Sequence, residues 1–204
     1  MAECASSRWP AVLRLVMAAL DTPTSAAAGC RMVAQVAAHR PLDVEEHQAV
    51  ILKLLEMLAK SAQIGEELTQ AAAEALLYTT FRCNTSKLRV LQLLRRHFAS
   101  CISQALASSS GLCAEKVLTF LRSLASARPP SAVFEAFPEG QEGVVDVVIR
   151  SLSRHQTDPG VQRWGLAALG TLCSADERLA QRAVDAGAAS SVIWALGADV
   201  LSQA

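Results

Sequence analysis

A five-position apolar stripe that comes round four times constrains this chain more than any other feature. It is plainest in DPGVQRWGLAALGTLC (158–173), where Val161, Gly165, Ala168, Leu169 and Leu172 follow one another at helical spacing. The same positions read Cys113, Val117, Phe120, Leu121 and Leu124 one unit earlier, and Leu68, Ala72, Ala75, Leu76 and Thr79 before that. The first copy is Ser25, Gly29, Met32, Val33 and Val36. From Val33 to Leu76 to Leu121 to Leu169 the spacing is 43, 45 and 48 residues. A period in the forties, with two or three helices to each unit, marks stacked helical repeats.

A second apolar helix recurs between the stripes. AVLRLVMAAL (11–20), HQAVILKLLEML (47–58), FASCISQAL (98–106), VVDVVIRSL (144–152) and ASSVIWAL (189–196) all end on Leu and enclose the four striped helices. Breakers stand where turns are required: Pro23, Pro41, Gly65, Ser108 to Gly111, Pro129 with Pro130, Pro138 to Gly143, and Pro159 with Gly160. Asp158 is placed to cap a helix whose first residue is Pro159. Gly187 separates the short LAQRAVDA from SSVIWAL. No segment demands a strand and no linker divides the chain. The expectation is one all-α domain over 1–204, with units of roughly 1–60, 61–107, 108–157 and 158–204.

Composition agrees with this. Hydrophobic residues make up 51% of the chain but aromatics only 4%. The apolar part is mainly Ala and Leu, the residues that lose least on entering a helix. Nineteen basic residues balance nineteen acidic ones, so no global field draws the protein to nucleic acid or an anionic membrane, and neither is expected as a partner. Cys4, Cys30, Cys83, Cys101, Cys113 and Cys173 form no CxxC pair, and several fall on apolar helical faces. Free buried thiols fit a reducing, cytoplasmic or nuclear setting better than a disulfide framework, and better than a zinc site. No apolar run reaches the length of a membrane span. AVLRLVMAAL (11–20) followed by SAAAGC (25–30) loosely follows a signal peptide with a lipid-modified Cys30. Glu3 in the leader and Arg14 inside the apolar run argue instead for an amphipathic first helix.

Residues 158–199 resemble an armadillo repeat: a helix of the form VQxxGLxALxxL, a short helix ending in VDAG, and an apolar helix after it. The likeness is weaker but in phase over 61–157, and rests on pattern alone over 1–60. It implies a right-handed α-solenoid of about four repeats whose neighbours must stack to close the core. The third helix of each unit would then line a concave, protein-binding face. HEAT repeats are the nearest alternative, disfavoured by the separate short helix before Gly187.

In peptide-binding members the third helix presents Trp and Asn four residues apart. The matching positions here are Arg31 and Gln35, Glu74 and Tyr78, Thr119 and Ser123, and Ala167 and Thr171. That pair is therefore absent, which disfavours an importin-like clamp for basic peptides. One turn earlier the same row adds Gln70, Glu115 and Arg163. The expected face is small, polar and of mixed charge, with Tyr78 as its aromatic anchor. Trp164, three positions before the family's Trp, is expected to pack against the neighbouring repeat. Gly29 and Gly165 share a stripe position, where close helix approach would account for them.

The remaining candidates have ordinary readings. Lys87, Arg89, Arg95, Arg96 and His97 read as a solvated helix face, with phosphate or nucleic-acid binding as the distant alternative. His39, His47, His97 and His155 belong to no HExxH, GxSxG, Walker or GxGxxG pattern. Glu45 and Glu46 beside His47 point in different directions on a helix. No catalytic, cofactor or metal residue is expected. The reading is a non-catalytic adaptor or scaffold that binds a protein segment on its concave face. The alternative is a structural subunit working through its ends. Val192, Ile193 and Leu196 would carry self-association or continuation there, since no polar capping face is visible.

Overall fold

A computed structural model of the chain describes residues 9–39, 44–81, 83–97, 100–108, 110–137 and 143–202. Among them every regular element is a helix and none is a strand. In order these are α1 (Trp9–Asp21), α2 (Ala26–His39), α3 (Val44–Ala59), the one-turn α4 (Ser61–Ile64), α5 (Glu66–Thr80), α6 (Asn84–His97) and α7 (Cys101–Ser108). There follow α8 (Gly111–Ala125), α9 (Ser131–Ala136), α10 (Val144–Arg154), α11 (Pro159–Ala175), α12 (Glu177–Asp185) and α13 (Ala188–Ser202). No described helix is long and apolar enough to cross a membrane.

The four striped segments are α2, α5, α8 and α11, and they pack on one another in chain order. The intervening apolar helices form a second row, α3 on α7, α7 on α10 and α10 on α13. The two rows are joined where α3 meets α5, α7 meets α8 and α10 meets α11. Helix α6 and the short α9 also pack together. Each striped helix must hide its apolar face against neighbours, because a lone amphipathic helix cannot bury itself.

Burial follows the stripe most closely on α8 and α11. Cys113, Val117, Phe120, Leu121 and Leu124 on α8 are buried, as are Val161, Gly165, Ala168, Leu169 and Leu172 on α11. On α5, Leu68 is half-buried and the other four stripe residues are buried. The first copy departs from expectation. Met32 is exposed and Val36 only half-buried, while Ala26, Cys30 and Ala34 join Gly29 and Val33 inside. These five buried residues again recur at helical spacing, so the inward face of α2 is turned by about one position from the stripe read in the sequence.

Local chemistry sets the helix ends. The Asp158 carboxylate accepts from the Gly160 and Val161 N–H groups at 2.9 and 3.1 Å, with Pro159 as the first helical residue. Asp176 ends α11 and caps α12, accepting from Arg178 N–H at 2.9 Å. Between α12 and α13 the chain turns at Gly187, whose φ of 80° favours glycine. Gln162, in the VQ of the repeat pattern, donates its amide to the carbonyls of Leu152 and His155 at 2.8 and 3.0 Å. It thereby satisfies acceptors at the end of α10 that the helix leaves open.

Gly165 is held by close approach, as its stripe position implies. A Cβ there would stand 2.6 Å from Leu152 Cδ2. At Gly29 it would meet Ala19 Cβ and the Leu20 backbone nitrogen, both at 3.2 Å. The roughly 1 kcal/mol that a helix-interior glycine costs relative to alanine is offset by the packing it permits.

The helical phase can be checked by denaturant melts. Leu169, 4% exposed, should lose about 2–5 kcal/mol on truncation to alanine. Thr171 is half-buried, and its hydroxyl bonds only its own helix, donating to Ala167 C=O at 2.8 Å. Thr171→Ala should therefore cost under about 0.5 kcal/mol. The opposite ranking would mean that α11 is turned by a residue or more.

Candidate functional site

The open face of the striped row carries most of the sequence-predicted residues, and the structure gathers four of them. Arg31 and Gln35 on α2 and Glu74 and Tyr78 on α5 line one open hollow of about 310 Å³. Ala34, Ala38 and Ala71 also line it, and His39 stands at its edge with Tyr78. Three alanines leave room that larger side chains would fill.

Ion pairs across neighbouring helices fix the charged members. Arg31 Nη1 lies 3.4 Å from Glu67 Oε1, and Lys116 Nζ 3.6 Å from Glu74 Oε1. These pairs are partly exposed, each worth at most about 1 kcal/mol. Among the described residues, the Gln35 amide, the His39 ring and the Tyr78 hydroxyl have no hydrogen-bond partner. The hollow therefore combines a small apolar lining with uncommitted polar groups, the ordinary composition of a binding site.

The other predicted residues are more dispersed. Gln70, Glu115, Thr119 and Thr171 are half-buried and Arg163 is exposed. Thr119 donates to Glu115 C=O at 2.7 Å, so its hydroxyl is committed to its own helix. The Glu115 carboxylate lies against Gly160 at the start of α11, where a negative charge is favourable. Ser123 does not belong to the open face. It is 8% exposed, with its hydroxyl 3.2 Å from that of Thr80 on α5. The exposed positions beside it are Arg122 on α8 and Ser126 just past its end, about one position in helical phase from the sequence reading.

Several residues here escaped the sequence reading. Phe81 is 57% exposed, three residues beyond Tyr78, a spacing that could have flagged it had the helix been extended by a turn. Arg122 is exposed, and its guanidinium carbon lies 5.4 Å from the Trp164 ring centroid. Arg163 approaches the same ring at 5.2 Å. Trp164 itself is half-buried and packs against the core.

The basic helix α6 has much of its charge engaged. Arg95 pairs with Glu135 at 2.9 Å, Lys87 donates to Ser126 Oγ at 2.7 Å, and Arg89 donates to Gln48 Oε1 at 2.5 Å. The side chains of Glu45, Glu46, His47, His97 and Leu196 lie outside the described residues, as does Cys4. Among the described residues no group of three His, Cys, Asp or Glu side chains could hold a metal ion.

With this geometry in view, comparison with known proteins adds nothing: no family model, no curated protein and no solved structure matches the chain.

The five described cysteines are free thiols and differ in burial. Burial pushes Cys30 and Cys101 up to about 12 and Cys113 up to about 11. Burial raises Cys83 as well, but hydrogen bonds from Ser86 and Thr85 at the start of α6 outweigh it and hold the thiol below its usual value. The thiolate is the nucleophile. In limited alkylation with iodoacetamide near neutral pH, Cys83 should therefore be labelled before Cys30, Cys101 and Cys113, as read by peptide mass spectrometry. Earlier labelling of Cys101 would contradict the packing of α7.

Proposed function

We propose that this chain is a non-catalytic protein-binding module, a right-handed α-solenoid of about four armadillo-type repeats that holds a partner segment along its concave face. The stacking of α2, α5, α8 and α11 in chain order, beside the second row α3, α7, α10 and α13, supports the repeat architecture. A cytoplasmic or nuclear setting belongs to the same reading and is supported by the free, buried thiols.

One observation carries the function: the hollow that unites Arg31, Gln35, Glu74 and Tyr78. Tyr78 is 41% exposed, offering a large, nearly rigid contact area with a polar tip. The Gln35 amide can donate to and accept from an extended backbone. Affinity capture with wild-type protein and a Gln35→Ala/Tyr78→Ala variant tests this, with Arg96→Ala as a control elsewhere. The partner recovered with wild type and control should be lost or much reduced with the double variant. Equal recovery with all three, the variant being folded by circular dichroism, would overturn the concave-face assignment.

A second reading, a structural subunit acting through its end, is favoured by a separate observation. Val192, Ile193 and Trp194 on α13 are 39%, 71% and 38% exposed, and Val184 on α12 is 69% exposed. Such a group of apolar residues at one end is more than scattered surface hydrophobes require. On this reading light scattering should give wild type a mass above the monomer and Ile193→Asp a monomer. A monomeric wild type identical to the variant would remove its support.

A further inference from the structure

Arg122 and Arg163 stand out among the charged groups of the open face. Arg31 and Lys116 have carboxylate partners there, and Lys53, Arg95, Arg178 and Arg182 have them elsewhere. Arg122 and Arg163 have none among the described residues, yet both guanidiniums lie within 5.4 Å of one Trp164 centroid. The ring's negative face attracts each cation but leaves their mutual repulsion and most of their ten N–H donors unanswered. The nearest candidate carboxylate on α8, Glu115, lies against Gly160 and forms no ion pair with either arginine. Thr119 and Arg122 follow Glu115 at helical spacing, so this group borders the same open surface as the hollow between α2 and α5.

We propose that Arg122 and Arg163, gathered around Trp164, form a carboxylate-recognising subsite for an acidic stretch of the partner protein. The Asp or Glu side chains of that stretch lie over α8 and α11, and its neutral portion reaches the hollow between α2 and α5. This rests on the protein-binding reading above and specifies the partner's chemistry. Guanidinium forks take carboxylates bidentately, and two of them on a rigid platform fix both register and sign. Nucleic acid would also take up arginines beside an aromatic ring, but two features oppose it. Trp164 is packed against the core, so its ring is not a free stacking platform of the kind single strands use. A continuous phosphate backbone tracking the face would also run onto Glu67 and Glu74, whereas an acidic peptide can confine its charge to one end.

The test uses the full chain and a fluorescein-labelled, extended Glu/Ser peptide, beside Gln/Ser and Lys/Ser peptides of the same length, with fluorescence anisotropy at low ionic strength. The Glu/Ser probe should bind about tenfold or more tightly than the Gln/Ser probe, and weaken as salt is raised. R122Q/R163Q should abolish that preference, with Arg96→Gln as an unaffected control. In a Trp9→Phe/Trp194→Phe background, the emission of Trp164 should change as the Glu/Ser probe saturates. Equal affinity for the Glu/Ser and Gln/Ser probes, or a preference that survives R122Q/R163Q, would overturn the proposal. So would tighter binding of a single-stranded oligonucleotide that the same double variant abolishes. If a captured partner is lost with Gln35→Ala/Tyr78→Ala but retained with R122Q/R163Q, the acidic subsite fails and the concave-face reading stands. Indifference to both variants would remove both.

Discussion

Everything in this structure depends on the contact of one striped helix with the next. Helix α8 shows why. Its stripe residues Val117, Phe120, Leu121 and Leu124 are fully buried, with α5 on one side and α11 on the other. Each such large side chain contributes roughly 1.5–3 kcal/mol by leaving water, but only if both neighbours are present. Removing one would expose a complete apolar face, so the fold is cooperative along its row. The polar pairs between the same helices are minor by comparison. Arg31 with Glu67 and Lys116 with Glu74 are exposed or partly exposed, so each contributes at most about 1 kcal/mol.

That contact also explains where small residues are needed. Gly165 brings α11 against Leu152 of the second row, and Gly29 brings α2 against Ala19 and Leu20. Alanine carries the same function at larger scale. Ala71, Ala72, Ala73 and Ala75 are buried on α5, and the alanines around the hollow keep its floor shallow. Close helix packing and an open face are therefore two consequences of one composition. Side chains too short to fill space let the backbones meet on the inside and leave room on the outside.

How far the sequence reveals this differs between core and face. Period and stripe located all four members of the central row, because burial imposes the same demand on each striped helix and the pattern averages out local exceptions. Asp158, Pro159 and Gly187 marked real helix boundaries because each acts through its own backbone. Residue-level orientation was less legible. Ser123 was read as open but is turned toward Thr80, and Met32 was read as stripe but faces outward. Both errors are of about one position in helical phase, some 100°, which leaves a five-residue stripe recognisable and reverses the fate of a residue at its edge. Arg122 was missed for the same reason, and its meeting with Trp164 and Arg163 joins residues from two units. No spacing within either unit encodes that meeting.

A chain of zero net charge can nevertheless present strong local fields, because screening at physiological salt confines each charge to about 8 Å. On this surface the balance is uneven. Between α2, α5 and α8, cations and carboxylates are matched pair by pair. Between α8 and α11 they are not, since Glu115 lies against Gly160 at the start of α11, whose first N–H groups Asp158 already caps, and pairs with neither Arg122 nor Arg163. An incoming carboxylate meets two guanidiniums already held in place by Trp164, so little side-chain freedom is lost on binding. The same arrangement opposes a uniformly charged ligand at the α2–α5 end. On the proposed reading, selectivity comes from the order of charges along the open face, a property that the overall composition conceals.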